Sequence, residues 1–335
     1  MRQMKLGLSI ASAGNVSVAN NKALTALSLT ANHSSSSGSI NNTYNISASG
    51  MTAFSLSDST GVAGLTLNNI TNTGNLALSI SSDRALTVNN VSTAAGGSVT
   101  LASNGTIYGN SSSASSPNIT TGALTLNAGS VTGTYATNQP LFVSVDSLSS
   151  NVRGSLWVSN NKNLTLLDNS ATSSAQVNVT NGSITQGAGR FVTPVLTLTA
   201  TQSIGAAGNA MQTDTRQLTT QSGGNLYINN ASDLFSLNIT ANHANSAVDN
   251  VVQVAAKGLT FNVTDAGVYT MTEVSDLTGL NFSFNGDRTL YVGNVDVGPA
   301  NTVSLGAFGS GAHILNLTPT SHITGDVVTL GASGQ

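Results

Sequence analysis

The sequence contains thirteen acidic residues, twelve aspartates and the single Glu273, and these are its candidates for carboxylate chemistry. Hydrolysis of a glycosidic bond needs two carboxyl groups that face each other across the bond. Asp146 and Asp168 are 22 residues apart, so they would share one face if the chain winds in coils of about that length. A β-helical enzyme that cleaves polysaccharides, as a lyase or a glycoside hydrolase, is therefore one function to weigh.

The sequence lacks the motifs of such enzymes. Polygalacturonase-like enzymes carry paired aspartates and a Gly-His-Gly element, and neither occurs here. Pectate-lyase-like sites need clustered aspartates beside a basic residue, and the ten basic residues form no such cluster along the chain. We therefore interpret several aspartates as turn formers whose side chains bond to their own backbone. These are Asp58, Asp83, Asp168 and Asp287.

Other chemistries have no sequence motif either. The histidines show no His-x-His or His-Glu-x-x-His spacing for a metal, and no Gly-x-Ser-x-Gly motif marks a serine nucleophile. The histidines are His33, His243, His313 and His322. The segment 205–209 is not followed by the Lys-Ser/Thr of a phosphate loop, and we predict that it forms a corner. The sequence thus predicts no catalytic, metal-binding or cofactor-binding residue.

The composition excludes several further classes of protein. Only 7% of the 335 residues are charged, against about 25% in ordinary globular proteins, so the surface must consist of uncharged polar residues. The net charge of −3, without a basic cluster, argues against a nucleic-acid partner. The absence of cysteine removes disulfides and thiolate zinc sites. No apolar run is long enough for a membrane-spanning helix.

Short segments in which apolar and polar residues alternate recur along the whole chain. In 65–67, 99–101 and 196–198, two apolar side chains would lie on one face with a threonine between them on the other. Apolar spacing typical of helices is missing. Thr197, Thr199 and Thr201 alternate as in ice-binding solenoids, but this unit does not recur regularly enough to favour that function.

The alternating segments also repeat one motif that ends in paired asparagines. It occurs at 65–69, 86–90 and 226–230, with a variant at 156–161. Asparagine tolerates the left-handed backbone region that sharp corners use. Stacked asparagine side chains can also bond to each other along an axis. The pairs therefore predict corners at which equivalent asparagines of successive coils stack.

Short strands, a lack of helices and degenerate repeats together predict an all-β fold, a parallel β-helix in which each strand pairs with strands one coil away. A coil would take about 20–25 residues, and Leu, Val and Ile would stack in columns inside it. We predict that residues 1–335 form one continuous solenoid, a single elongated rod, and that the chain is an interior piece of a longer one. The alternative is an array of antiparallel β-sandwiches, whose longer strands and framed buried tryptophan differ from the pattern around Trp157.

A series of small motifs resembles a known family. They are Gly182-Ser183-Ile184-Thr185-Gln186, Leu196-Thr197-Leu198-Thr199-Ala200, Ser203-Ile204-Gly205, Leu218-Thr219-Thr220 and Gly223-Gly224-Asn225-Leu226-Tyr227-Ile228-Asn229-Asn230. Their order is similar to that in the repeat region of filamentous haemagglutinin-type exoproteins, large adhesins of Gram-negative bacteria, best over residues 60–240. The resemblance implies a right-handed parallel β-helix and two-partner secretion. The family's N-terminal secretion domain, with its Asn-Pro motifs, is missing, because no Asn-Pro dipeptide occurs here.

The function that we expect is architectural and not enzymatic: a rigid adhesive stalk, extracellular or on the Gram-negative cell surface. The resemblance implies an outer-membrane transporter as partner during export. A glycan or protein on a host or neighbouring cell is the expected ligand, and exposed solenoid ends favour end-to-end self-association. Loops at 32–43 and 109–118 are candidate contact surfaces. Asn118, Asn238 and Asn316 begin Asn-x-Ser/Thr triplets, which some relatives glycosylate.

Overall fold

The computed structural model describes most of the chain from residue 7 to residue 334. The described residues are 7–12, 16–23, 26–31, 42–49, 53–58, 65–72, 77–82, 85–133, 139–233, 236–241, 250–257, 261–265, 269–275, 282–286, 289–297, 300, 302–308 and 310–334. Side chains are described for 8–10, 16–18, 66–71, 85–133, 139–232, 289–297, 300, 302–308 and 310–334. Every regular element in these ranges is a β-strand, and they contain no helix able to cross a membrane.

The chain divides into two compact units. The first comprises residues 1–164 and 169–173, and the second 165–168 and 174–335. The strands of the first unit are β1 Gly7–Ser12, β2 Val16–Ala23, β3 Ala26–Ala31, β4 Asn42–Ser49, β5 Ala53–Asp58, β6 Leu65–Asn72, β7 Ala77–Ser82, β8 Leu86–Val88, β9 Val91–Ser92, β10 Ser98–Ser103, β11 Thr106–Gly109, β12 Ile119–Ala128, β13 Ser130–Thr132, β14 Leu141–Val152 and β15 Ser155–Asn160.

Strand β16, Leu164–Ala171, is divided between the two units. The strands of the second unit are β17 Ser174–Val179, β18 Ile184–Gln186, β19 Phe191–Val192, β20 Val195–Ala200, β21 Met211–Asp214, β22 Gln217–Ser222, β23 Leu226–Asp233, β24 Ser236–Ala241, β25 Asn250–Lys257, β26 Phe261–Asp265, β27 Tyr269–Ser275, β28 Phe282–Gly286, β29 Leu290–Asp296, β30 Thr302–Ala307, β31 Ile314–Asn316, β32 Ile323–Thr324 and β33 Val327–Ala332.

In both units the strands pair in parallel with strands one coil away, which confirms the predicted parallel β-solenoid. In the first unit Gly7 lies beside Ala26, and Ala26 lies beside Ala53 in the next coil. In the second unit Leu218 lies beside Leu237, only 19 residues on. Coil length therefore varies around the predicted 20–25 residues, because the strands keep their register while the connecting loops differ in length.

Apolar residues line up in columns that run from coil to coil, as the alternation predicts. One column of the first unit contains Leu8, Leu27, Phe54, Leu78, Val99, Leu124 and Leu148. One column of the second unit contains Ala175, Leu196, Leu218, Leu237, Phe261, Phe282, Val303 and Val328. Val99, Leu124 and Leu196 are almost fully buried, and each such side chain contributes about 1.5–3 kcal/mol of hydrophobic stabilisation.

The paired asparagines of the first unit form the predicted ladder. The amide Nδ2 of Asn89 donates to Oδ1 of Asn68 at 2.9 Å, and Nδ2 of Asn90 donates to Oδ1 of Asn69 at 2.8 Å. Each bond joins two residues 21 positions apart, hence one coil apart. These contacts give the outer corner of the coil its own axial hydrogen bonds, beside those of the backbone.

The prediction that asparagines adopt the left-handed region at corners is wrong for the described residues. There, Ala300 is the one non-glycine residue with positive φ, and the others are glycines. Apart from Ala300, the described positions in the left-handed region are glycines, because glycine has no Cβ to collide there, while asparagine contributes to its corners through the side-chain amide. Gly205 and Gly208, with φ of 73° and 72°, confirm that segment 205–209 is a corner. Its Ala206 and Asn209 exchange backbone hydrogen bonds of 3.1 and 3.0 Å.

Candidate functional site

Three charged residues lie close together on neighbouring coils of the second unit. Asp168 belongs to β16, Arg190 precedes β19, and Asp214 ends β21. The guanidinium Nη1 of Arg190 lies 3.9 Å from Oδ2 of Asp214, and the backbone N–H of Arg190 donates to Oδ1 of Asp168 at 3.5 Å. Such a gathering of scarce charges is what a β-helical polysaccharide enzyme would require.

The charged trio is arranged as a surface bridge between coils. Asp168 is exposed, and the side chains of Arg190 and Asp214 are 44% and 33% exposed. The hydroxyl of Ser232, one coil further on, donates to Oδ1 of Asp214. Ion pairs this open to solvent contribute about 0–1 kcal/mol. The described residues contain no group of three or more metal-ligating side chains, so the trio can join coils but shows no metal centre.

The interpretation of the aspartates as turn formers is wrong for Asp168, which lies within β16. Its carboxylate bonds to the backbone N–H of Arg190, 22 residues away, and so it joins neighbouring coils, whereas the prediction placed the bond within its own turn. The side chains of Asp58, Asp83 and Asp287 lie outside the described residues, as does that of Glu273. Sequence alone could not distinguish the two roles, because Asp168 and Asn169 after an apolar run are typical of a turn, whereas the structure continues β16 through them to Ala171.

Asp146, the other aspartate proposed from spacing, has a local cationic partner. Its Oδ1 lies 2.7 Å from Nζ of Lys162, which follows β15. Both side chains are at the surface of the first unit, with Asp146 60% exposed and Lys162 36% exposed.

Of the histidines, His313 and His322 fall in the described part of the chain, while His33 and His243 lie outside it.

A regular polar surface lies on the first unit, where four consecutive coils present uncharged outward side chains. Strands β8, β11, β13 and β15 are in register: Tyr108 lies beside Thr87 and beside Thr132, and Val131 lies beside Leu156. The next outward position after Leu156 is Trp157. We call this surface the Tyr–Trp face. Its outward residues are Thr87, Thr106, Tyr108, Ser130, Thr132, Ser155 and Trp157.

The inward residues of the same strands hold the Tyr–Trp face flat. Leu86, Ile107, Val131 and Leu156 are almost completely buried, so the alternation of a β-strand leaves the outward residues no freedom to turn inward. All seven outward residues are half-buried, because each is flanked by the strand above or below. The face was not predicted from the sequence, where Trp157 served only as a variant of a repeat. The feature of the sequence that could have revealed the face is the spacing of Tyr108 and Trp157, which are 49 residues, or two coils, apart.

The predicted contact loop at 109–118 emerges from the first unit between β11 and β12 and carries a run of serines. Ser112, Ser113, Ser115 and Ser116 are at the surface of this loop. The amide of Asn161 donates to the carbonyl oxygen of Ala114 at 3.0 Å and anchors the loop. The other predicted loop, at 32–43, is described only for the backbone of its last two residues, Asn42 and Thr43, which begin β4.

Two of the three candidate glycosylation asparagines can be located. Asn118 is completely buried, and its Nδ2 donates to the carbonyl oxygen of Val88 at 2.9 Å. It is inaccessible in the folded chain, so this triplet offers no acceptor for glycosylation once the protein has folded. Asn316 is exposed at the end of β31, and the side chain of Asn238 lies outside the described residues.

Similarity to known proteins assigns no function to these surfaces. A comparison of the chain with models of protein families, with curated proteins and with solved structures found no match. The fold and the two surface features, the charged trio and the Tyr–Trp face, are therefore the observations on which a function has to rest.

Proposed function

We propose that the chain is a structural and adhesive segment of an exported bacterial surface protein of the filamentous haemagglutinin type. The observation that carries this proposal is the parallel β-solenoid of both units, with apolar columns inside and uncharged hydroxyl and amide side chains outside. Such coils resist local opening because each strand between the first and last coils is bonded on two sides. A stiff scaffold with a neutral polar surface suits a protein that presents contact surfaces to other cells.

Under this proposal the protein acts outside the cell, after export through an outer-membrane transporter. Its ligand is a glycan or protein on a host or neighbouring cell, and a nucleic-acid partner is disfavoured by the net charge of −3. In β33, the last strand of the sequence, Val328 and Leu330 are 42% and 54% exposed, which fits either end-to-end self-association or a further coil of a longer chain. The residues beside them in β30, Val303 and Leu305, are buried. Exposed apolar strands of this kind favour pairing with another coil.

The adhesive function can be tested by displaying the chain on a non-adherent laboratory bacterium. We expect these cells to aggregate or to attach to epithelial cells more than cells that display a scrambled sequence of identical composition. The control separates the folded solenoid from the effect of a Ser-, Thr- and Asn-rich coat. Equal attachment of the two strains, at equal surface density of the displayed chains, would remove the basis of the adhesive proposal.

A second function, cleavage of a polysaccharide, is favoured only by the trio of Asp168, Arg190 and Asp214. Since a general acid and a base must lie across a bond in the substrate, activity would depend on both carboxylates. We expect the purified chain to release no new reducing ends or unsaturated sugars from a panel of polysaccharides. Product release that Asp214→Asn abolishes, while the control Asp146→Asn retains it, would replace the adhesive proposal with the enzymatic one.

A further inference from the structure

The Tyr–Trp face has the dimensions of a site for an extended polysaccharide. Its central column runs Thr87, Tyr108, Thr132 and then Trp157, one residue for each coil. Neighbouring strands are about 4.8 Å apart, so the two aromatic side chains are separated by about twice that distance. One coil thus advances by about the length of one β-1,4-linked pyranose residue, and two coils by about the length of a disaccharide.

This spacing matters because of the symmetry of β-1,4-linked chains. Successive sugars in such a chain are rotated by about half a turn, so every second sugar presents the same ring face to one side. Aromatic rings two coils apart would therefore meet equivalent sugar faces. Tyrosine and tryptophan offer large, rigid and amphipathic contact surfaces at little entropic cost, and the C–H faces of pyranose rings are the apolar surfaces that such rings can cover.

The polar residues of the face complete the chemistry. Thr132 lies between the two aromatic residues in the column, and Ser130 and Ser155 occupy the neighbouring outward column beside Thr106. The hydroxyl of Thr132 donates to the carbonyl oxygen of Gln139 at 3.1 Å and therefore offers a ligand its acceptor lone pairs. The serine hydroxyls can both donate and accept hydrogen bonds, as sugar hydroxyls do. None of the seven outward residues carries a charge. When an uncharged ligand covers the face, none of these seven side chains has to give up the hydration of a charge.

From these observations we propose that the Tyr–Trp face binds an uncharged, extended, β-1,4-linked polysaccharide, laid along the stacked strands with every second sugar on an aromatic ring. The inference deepens the adhesive function proposed above, since it names the chemical class of the glycan and the residues that contact it. It needs no movement of the backbone, because the buried inward side chains fix the strands that carry the face.

Calorimetric titration of the purified chain with cellohexaose and chitohexaose tests the proposal, with α-linked maltohexaose as the ligand control. We expect at least one β-1,4 hexasaccharide to bind and maltohexaose, whose chain curves away from a flat face, not to bind. Trp157→Ala and Tyr108→Ala should each weaken binding about 10-fold or more, as truncation of an aromatic anchor does. Trp157→Phe should recover part of the affinity.

Tyr291→Ala is the matched control, because Tyr291 is also a half-buried tyrosine on a strand, β29 of the second unit. It should bind as the unaltered chain does, and all variants should keep the same circular dichroism spectrum. The proposal is overturned if neither β-1,4 hexasaccharide binds, if Trp157→Ala and Tyr108→Ala both bind normally, or if maltohexaose binds equally well. Because the titration uses no cells, a failure of cell attachment with intact sugar binding would count against the adhesive function alone.

Discussion

Replacing Asn230 with alanine is expected to lower the free energy of unfolding of its coil by about 3 kcal/mol or more. The side chain is 4% exposed. Its Oδ1 accepts from the Oγ1 of Thr213 at 2.8 Å and from the N–H of Thr215 at 3.0 Å. Its Nδ2 donates to the carbonyl oxygens of Thr215 at 3.0 Å and Ser232 at 2.6 Å. Alanine would leave several buried polar groups without partners.

The same arrangement occurs independently in the first unit, which makes the prediction general. Oδ1 of Asn160 accepts from the N–H of Val145 at 2.8 Å, and its Nδ2 donates to the carbonyl oxygens of Val145 at 3.1 Å and Lys162 at 2.6 Å. In both units the backbone partner lies 15 positions earlier and the second acceptor two positions later. Asn160→Ala should therefore cost a similar amount, whereas Asn110→Ala, at an exposed asparagine, should cost little.

Two buried threonines provide a sharper control for the role of these hydrogen bonds. Thr213 and Thr220 are both completely buried in the second unit. The hydroxyl of Thr213 donates to Asn230, whereas Oγ1 of Thr220 has no hydrogen-bond partner. Thr213→Val should therefore destabilise the coil, and Thr220→Val should leave it unchanged or more stable, since an unsatisfied buried hydroxyl is replaced by a methyl group.

Urea unfolding and amide hydrogen exchange measure these effects together. Stacked coils need not unfold in one step, so the exchange rate of the Thr215 amide reports the affected coil directly. A normal exchange rate in Asn230→Ala, or equal destabilisation by Thr213→Val and Thr220→Val, would show that the asparagine does not hold the corner.

The parallel solenoid could be predicted from the sequence because its signals are local and repeated. Alternation sets which side chains face inward, and repetition of the motif places like residues on successive coils. The role of each individual asparagine could not be predicted in the same way. Asn90 and Asn230 occupy the same place in the motif, yet Asn90 bonds to Asn69 at the outer corner while Asn230 is buried.

The physical reason lies in the loops of the neighbouring coils. Asn90 has an asparagine at the equivalent position one coil earlier, 21 residues away, so the two amides stack. Asn230 instead meets the backbone of Thr215, 15 residues earlier, where the chain turns and leaves an N–H and a carbonyl group to be bonded. Which case occurs depends on the length of the preceding loop, and that length varies from coil to coil.

The candidate sites were still harder to predict, because they depend on register across coils. The 22-residue spacing that suggested Asp146 with Asp168 assumed a constant coil length. Asp168 instead contacts Arg190, and Asp146 contacts Lys162. The Tyr–Trp face is likewise formed by residues from separate repeats. Their proximity could be predicted only from the pairing of β11, β13 and β15, which the sequence does not provide.

Replacing Gly205 with alanine is the second change expected to have a large effect, at about 3 kcal/mol. Gly205 has φ of 73°, where a side chain costs roughly 1–2 kcal/mol. A Cβ at this position would also overlap the carbonyl oxygen of Tyr227 on the next coil and lie 3.1 Å from the backbone nitrogen of Met211. Relief of that overlap would push the two coils apart. This movement would lengthen the hydrogen bond of 2.8 Å that the N–H of Tyr227 donates to the carbonyl oxygen of Ile204.

Gly208 separates the two contributions, since it has nearly the same φ, 72°, in the same corner, but a Cβ added there would have no atom within 4 Å. Gly208→Ala should therefore show the backbone strain alone, about 1–2 kcal/mol, and Gly205→Ala should exceed it. Urea midpoints and exchange of the Tyr227 amide measure both variants. If the two alanines destabilise the chain equally, close contact between the coils at Tyr227 does not limit this corner, and the left-handed backbone alone explains the need for glycine.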